Sequence, residues 1–316
     1  METLAAGPAV LAFDVGGTTV KAEVLGPELE VWATGSTGTP RGPAVVDAVA
    51  FLAGELLAEL SEVQLSKVGA VGLALPGIVD TASGTSVYAA NLGLRDEPLA
   101  DPVSRRLGLP VRLCHDVTAA AEAERRSGAA RAVVDPLVVV IGTGIAAVSY
   151  VHGQRVAGSS GQAGELGHVV VRPGGPVCGC GARGCLEAVS SAAAVARAYR
   201  ARTGRAVSGA HEVVALLGRD PHADEVWAEA TSALADGLLM ATALLAPGAI
   251  VLGGGLAQAG PALVDPVTGL MKQRATAVTV PPLLLAAHGT RAGVVGAGLV
   301  ARDAAGHAVA SAEGSA

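Results

Sequence analysis

The sequence predicts an α/β protein of two domains built by duplication, each beginning with a strand, a glycine turn and a second strand. The chain has 316 residues, enough for two ordinary domains with a sizeable buried core. Apolar residues make up 51% of it and charged residues 16%, which excludes a disordered or solvating chain. The run LVVVIGTGIAAVSYVHGQRV, starting at Leu137, repeats the pattern of the first 25 residues about one domain later.

The first strand is VLAFDVG, closing on Asp14 and two glycines, and TVKAEVLG alternates after it. Together they read as a β-hairpin with Gly16-Gly17-Thr18-Thr19 at its tip. Ala44–Leu60 has apolar residues at helical spacing, with Glu55 and Glu59 on its polar face. VGAVGLALPG is a short continuous apolar run stopped by Pro76-Gly77, hence a buried strand. Pro98–Leu107 reads as a helix, Pro110–Leu113 as a strand feeding Asp116, and Thr118–Arg126 as a helix rich in Ala and Glu. In the second half, helices are predicted at Ser190–Arg202 and Ala223–Leu245. Gly237 to Val264 carries no charge, but Pro247-Gly248 and Gly253-Gly254-Gly255 divide it into pieces short of the roughly 20 apolar residues a membrane span needs. Val294–Ala304 is the last periodic segment, and 306–316 reads as a flexible tail.

Lys and Arg number 22 against 28 Asp and Glu, a net charge of −6, which argues against sequence-independent binding to nucleic acid or anionic membrane. Aromatic residues are only 2%, too few for a base-stacking platform. The start METLAAGPAVLAFD has neither a basic n-region nor a cleavage pattern, so a cytoplasmic location is expected. Three of the four cysteines fall within eight residues, a metal pattern rather than a disulfide framework, and one suited to a reducing cytosol.

Gly16-Gly17, Gly142-Thr143-Gly144 and Gly253-Gly254-Gly255 each follow a predicted buried strand. Backbone N–H groups in such turns converge on one concavity and can hold phosphate oxygens, although any tight turn also favours glycine. Gly142 to Ala147 matches G-x-G-x-x-A, but a strand follows it where a dinucleotide fold needs a helix. There is no G-x-x-x-x-G-K-[ST].

His168, Cys178, Cys180 and Cys185 form H-x9-C-x-C-x4-C, a donor set for tetrahedral Zn²⁺ in a closed structural site. Cys114 reads as a core residue. Asp116 sits at the carboxyl end of a strand, where open α/β sheets bind ligands, and an N-cap for the following helix is the competing role. Glu165 and Glu187 flank the zinc ligands and would be drawn to one place by the ion; each also fits plain surface. Lys21 fits either an approach to phosphates or a solvated position. Arg172 and Arg183 read as surface.

GELGHVVVRPGGPVCGCGARGCLE closely resembles the signature of the ROK family of sugar kinases and repressors. FDVGGTTVKAEVLG resembles its first phosphate motif and IGTGI its second. LALPGIVD, Asn91-Leu92 and HDVTAAAEAE follow in the family's order, so the likeness covers nearly the whole chain. It implies an actin/hexokinase-like (ribonuclease H-like) duplicated fold, two α/β domains around a cleft. The expected N-terminal domain is 1–115, joined by a C-terminal helix at about 294–305; the larger domain is 116–293, with a zinc loop at 168–185. The likeness further implies Asp116 as catalytic base, with Gly77, Asn91, His115, Glu165, His168 and Glu187 on the sugar. Asp14 would position Mg²⁺ through water. Gly16, Gly17, Thr18, Thr19, Lys21, Gly142, Thr143 and Gly144 would bind ATP phosphates, and Gly254 and Gly255 would lie near the adenosine. His168 would turn one ring nitrogen to zinc and the other to sugar.

The implied activity is ATP-dependent phosphorylation of a hexose, glucose to glucose 6-phosphate by analogy with free-standing members of this layout. Kinases for N-acetylmannosamine or fructose, and a catalytically weak sugar sensor, are the alternatives. The family also implies a homodimer or homotetramer. Two positions depart from its pattern. His115 stands where the family usually has Asn, which leaves the choice of sugar open. Ala146 and Ala147 replace frequent glycines, so that turn must avoid positive φ. A repressor is not expected, because the 13 residues before Asp14 are too few for a DNA-binding module.

Overall fold

The computed structural model describes residues 7–159 and 161–313. It divides into two units, Met1–Arg126 with Arg291–Ala316, and Ser127–Thr290.

Unit 1 opens with β1 (Ala9–Val15), β2 (Thr19–Leu25) and β3 (Val31–Gly38), followed by α1 (Ala44–Ala58), α2 (Glu62–Leu65) and β4 (Val68–Leu75). A second, small sheet comes next, β5 (Ile78–Asp80), β6 (Thr85–Ala89) and β7 (Leu94–Pro98). Then follow α3 (Ala100–Leu107), β8 (Val111–His115) and α4 (Asp116–Ser127). The main sheet runs β3-β2-β1-β4-β8, with β1 parallel to β4 and β4 to β8, and the β1–β2–β3 pairings antiparallel. β1 and β4 are almost wholly apolar because helices cover both faces of the sheet. On one face α1 buries Val45, Val49, Leu52 and Leu56 into a core that includes Phe13, Leu73 and Leu113.

Unit 2 repeats this plan. It contains β9 (Pro136–Ile141), β10 (Ile145–Val151), β11 (Gln154–Arg155), α5 (Leu186–Ser190), α6 (Ala192–Thr203), α7 (Ala210–Ala215), α8 (Pro221–Leu245), β12 (Ala249–Gly253), α9 (Pro261–Arg274) and β13 (Leu283–Leu285). Its sheet runs β11-β10-β9-β12-β13, with the same alternation of two antiparallel and two parallel pairings as in unit 1. The duplication read from the glycine turns is therefore a duplication of topology. α8 is capped by Asp220, with Pro221 at the first helical position. It is long and apolar enough to cross a membrane, yet half of that window is buried, and Val226, Ala230, Leu234 and Leu238 belong to the unit 2 core. Pro266 lies inside α9 and has no N–H to give the Ala262 carbonyl four residues back. The Trp227 indole N–H of α8 donates to that carbonyl at 2.9 Å.

The last helix, α10 (Ala292–Glu313), belongs to unit 1, where it packs on β1, β4 and β8. Val294, Ala297 and Ala301 join Val10, Ala12, Ala70, Ala74 and Ala119 in a core of small residues. The backbones approach closely: a Cβ on Gly296 would strike the Ala119 carbonyl, and one on Gly72 the Ala297 carbonyl. Two expectations change here. The boundary falls after Arg126 instead of before Asp116, because α4 packs against α10 through Ala119. The expected tail from 306 is helical through Glu313, in keeping with its alanine content, and 314–316 lie outside the described residues.

Gly296→Ala is expected to destabilise unit 1 by about 1–3 kcal/mol, since the added methyl has only backbone to displace. Urea unfolding beside a Gly269→Ala control, whose Cβ meets nothing within 4 Å, checks this.

Candidate functional site

Parallel pairing places Asp14 opposite Ala74 and His115 opposite Leu75, so Asp14, Gly77 and Asp116 emerge at one carboxyl edge of the unit 1 sheet. The hairpin tip is held by Gly16 N–H to Thr19 O at 3.0 Å and by the Thr39 hydroxyl to Gly16 O at 2.7 Å. Asn91 covers it, its Cβ 3.2 Å from where a Cβ on Gly17 would be. Gly77 has φ +89, and a side chain there would collide with the Tyr88 carbonyl, so the chain turns into the small sheet only with glycine. The residues expected on sugar and phosphate in unit 1 thus share one edge.

Burial, reinforced by the Asp116 charge and offset by Lys21, pushes the Asp14 carboxyl up to about 6. Lys21 is exposed but lies directly across from Asp14 in the β1–β2 ladder. A Cβ on Gly293 in the first turn of α10 would lie 2.8 Å from the Asp14 carboxyl carbon, a neighbour that sequence spacing gives no hint of. Burial likewise raises Asp116, opposed by His115 and by the Val117 N–H, which donates to Oδ1 at 2.7 Å. That bond reaches only the next residue, so the side chain does not make the N2 or N3 contact of an N-cap. Cys114 is buried, its thiol pushed up to about 12 by desolvation first, as suits an inert core residue.

In unit 2 the corresponding edge carries Gly142-Thr143-Gly144 after β9 and Gly254-Gly255 after β12. Gly142 N–H closes its turn on Gly144 O at 2.9 Å. Ala146 and Ala147 lie in β10 without positive φ, so the missing glycines cost the turn nothing.

The ring nitrogens and thiol sulfurs of His168, Cys178, Cys180 and Cys185 lie within 4.8 Å of one another. Cys178 Sγ is 3.6 Å from His168 Nδ1, and Cys180 Sγ is 3.8 Å from Cys185 Sγ. Donors about 2.0–2.3 Å from one tetrahedral ion would stand roughly 3.4–3.8 Å apart, so the cluster fits a metal with no vertex left open. The loop is folded by bridges Val170–Cys185 and Val177–Arg183, and Gly184 lets it pass under the Arg172 carbonyl. With Nδ1 facing the thiols, His168 turns Nε2 toward Glu165 Oε2, 3.7 Å away.

Two side chains differ from expectation. Arg172 is half-buried, not surface: it bonds Asp236 at 2.6 Å and Ser232 at 3.0 Å, and Arg274 grips the same pair from α9. Glu187 lies beside the metal cluster as expected, Oε1 being 4.0 Å from Cys178 Sγ, but its Oε2 accepts from the Ile145 N–H at 3.0 Å. It thereby joins the metal loop to the glycine turn, and occupies the space a Cβ on Gly144 would need.

The ROK family profile matches residues 10–304. The glucokinase of Streptomyces coelicolor is 30% identical over 93% of this chain and 97% of its own length. An N-acetylmannosamine kinase of Vibrio vulnificus is 32% identical over 78% and 83%. Among solved structures, the ROK family glucokinase of Streptomyces griseus in complex with glucose and AMPPNP superimposes with a TM-score of 0.80, at 30% identity, over 93% of this chain and 99% of that one. The ROK hexokinase of Thermus thermophilus gives 0.77 at 32%, over 93% and 97%.

The four-donor cluster predicts about one equivalent of a divalent metal per chain by elemental analysis, lost in Cys180→Ser. Wild-type metal content in that variant would refute the ligand assignment.

Proposed function

The chain belongs to the ROK family, and we propose that it works there as a sugar kinase, moving the γ-phosphate of ATP to a hydroxyl of a hexose, glucose foremost. The observation that carries this reading is Asp116: a half-exposed carboxylate at the carboxyl edge of a parallel sheet, in a chain similar to a glucokinase over 93% of its length.

Phosphoryl transfer runs through a loose transition state, so positioning and charge neutralisation supply most of the catalysis. Asp116 orients the acceptor hydroxyl and takes its proton late in the transfer. Asn91 and the turn at Gly77 bind sugar in unit 1; in unit 2 Glu165 and Glu187 offer acceptors to its hydroxyls, and His168, held through Nδ1, offers its Nε2–H as a donor. The glycine turns at Gly16-Gly17-Thr18-Thr19 and Gly142-Thr143-Gly144 present backbone N–H groups to ATP phosphates, and Gly254-Gly255 adjoin the adenosine. Asp14 would hold Mg²⁺, and the ion would supply neutralisation of phosphate charge. An Asp raised by burial toward 6 prefers such a cation close by.

The cluster at His168, Cys178, Cys180 and Cys185 suits zinc by its three thiolates and one imidazole. Held through Nδ1, His168 has its ring plane fixed and Nε2 directed outward beside Glu165. A metal there would be structural, since four protein donors leave no position for substrate. Four free cysteines suit a reducing cytoplasm.

Asp116→Asn is expected to keep sugar and ATP binding and to lower kcat by about 10²–10⁴-fold, read by coupled ADP release. Undiminished kcat would remove Asp116 from the base role. In the same assay, run with glucose, mannose, fructose, N-acetylmannosamine and N-acetylglucosamine, glucose should show the highest kcat/KM. A preference for N-acetylmannosamine would move the chain to the other activity named among its relatives.

A further inference from the structure

Asp116 is not held by backbone alone. His115, the last residue of β8, places Nε2 3.3 Å from Asp116 Oδ1, the oxygen that also accepts from Val117 N–H. Oδ1 is therefore engaged from two sides, whereas no side-chain donor bonds Oδ2 among the described residues. Both side chains are a little over a third exposed, so the pair stands at the surface of the site and not in the core. An Asn at 115, the residue the family resemblance leads one to expect, could donate a hydrogen bond but could never carry charge.

We propose that His115 is a positioning residue for Asp116, its imidazole holding Oδ1 so that Oδ2 is the oxygen facing the acceptor hydroxyl. This rests on Asp116 being the base. In the step itself the hydroxyl oxygen bonds the γ-phosphorus, the bond from phosphorus to the ADP oxygen breaks, and the hydroxyl proton passes to Oδ2, from which it leaves to solvent. The imidazole neither gains nor loses a proton in the cycle. When it carries a proton, the imidazole instead favours the ionised form of the resting carboxylate, against the burial that favours the acid.

Other charges near the pair are few. β1 brings Asp14, with Lys21 of β2 across from it. β8 has the exposed Arg112 and Cys114, whose thiol feels Asp116, Asp14 and Glu122 of α4. β4 contributes no titratable side chain, and α10 none before Arg302. At the end of β5, Asp80 is taken up by Ser83 and Ala82. α3 carries Asp101, Arg105 and Arg106, the last paired with Asp47. His115 is thus the basic side chain in contact with Asp116.

The test is the pH dependence of kcat and kcat/KM in wild type, His115→Asn and His115→Gln, with Asp116→Asn run beside them. Activity needs the Asp116 carboxylate ionised, so it falls as pH drops through that group's titration. Without the His115 ring only backbone N–H groups oppose burial, and the acid limb should move to higher pH in both His115 variants. On the pH plateau, His115→Gln should regain part of the kcat lost in His115→Asn, because its longer amide still reaches Oδ1. An unmoved limb with only the sugar KM raised would make His115 a sugar contact and overturn the proposal, while Asp116→Asn, being inactive, left the base reading intact. Full kcat in Asp116→Asn would overturn both.

Discussion

Because β1, β4 and β8 run parallel, their carboxyl ends fall on one edge, and Asp14, Gly77 and Asp116 are delivered there together. The same constraint acts in unit 2, where β9 and β12 run parallel and present Gly142-Thr143-Gly144 and Gly254-Gly255 at their ends. Strand ends carry backbone groups that no ladder satisfies, so an edge of this kind is polar by construction. Putting carboxylates on it costs little in one sense and much in another. The N–H of Val117 is available to Asp116 Oδ1, but the apolar strands beneath partly desolvate both carboxylates, which is why each titrates above its ordinary range.

The central strands were legible because each is a continuous apolar run, the pattern forced on a strand covered on both faces. The edge strands β3 and β7 were not. VWATGSTG in β3 and LRDEP in β7 are polar enough to pass for loops, and they are strands only because a neighbour supplies their ladder. The match in order between the two sheets was visible as two strand, glycine, strand starts, but the place of α4 was not. Its attachment to unit 1 depends on Ala119 meeting a helix about 180 residues away in the chain, and local periodicity carries no such information.

For the site, residue types and spacing found the metal donors, since three cysteines and a histidine with glycines between them have few other uses. What spacing could not reveal is the tie from Glu187 to Ile145 N–H, which spans 42 residues, or the approach of Gly293 to Asp14. Arg172 shows the same blindness in the other direction: a cation in a glycine-rich loop looks solvated until Asp236 and Ser232 on α8 come to meet it. In each case the partner lies on a distant element, and only the folded chain brings them into register.

The return of α10 to unit 1 sets an order of assembly. Ser127–Thr290 is one uninterrupted stretch, with its own sheet and core, and can close as soon as it leaves the ribosome. The half that is synthesised before it must wait, one face of β1 and β4 uncovered, until α10 has been made and released. The half begun earliest is therefore finished last, and nascent chains stalled before Ala292 would expose Val10, Ala12, Ala70 and Ala74 to chaperones.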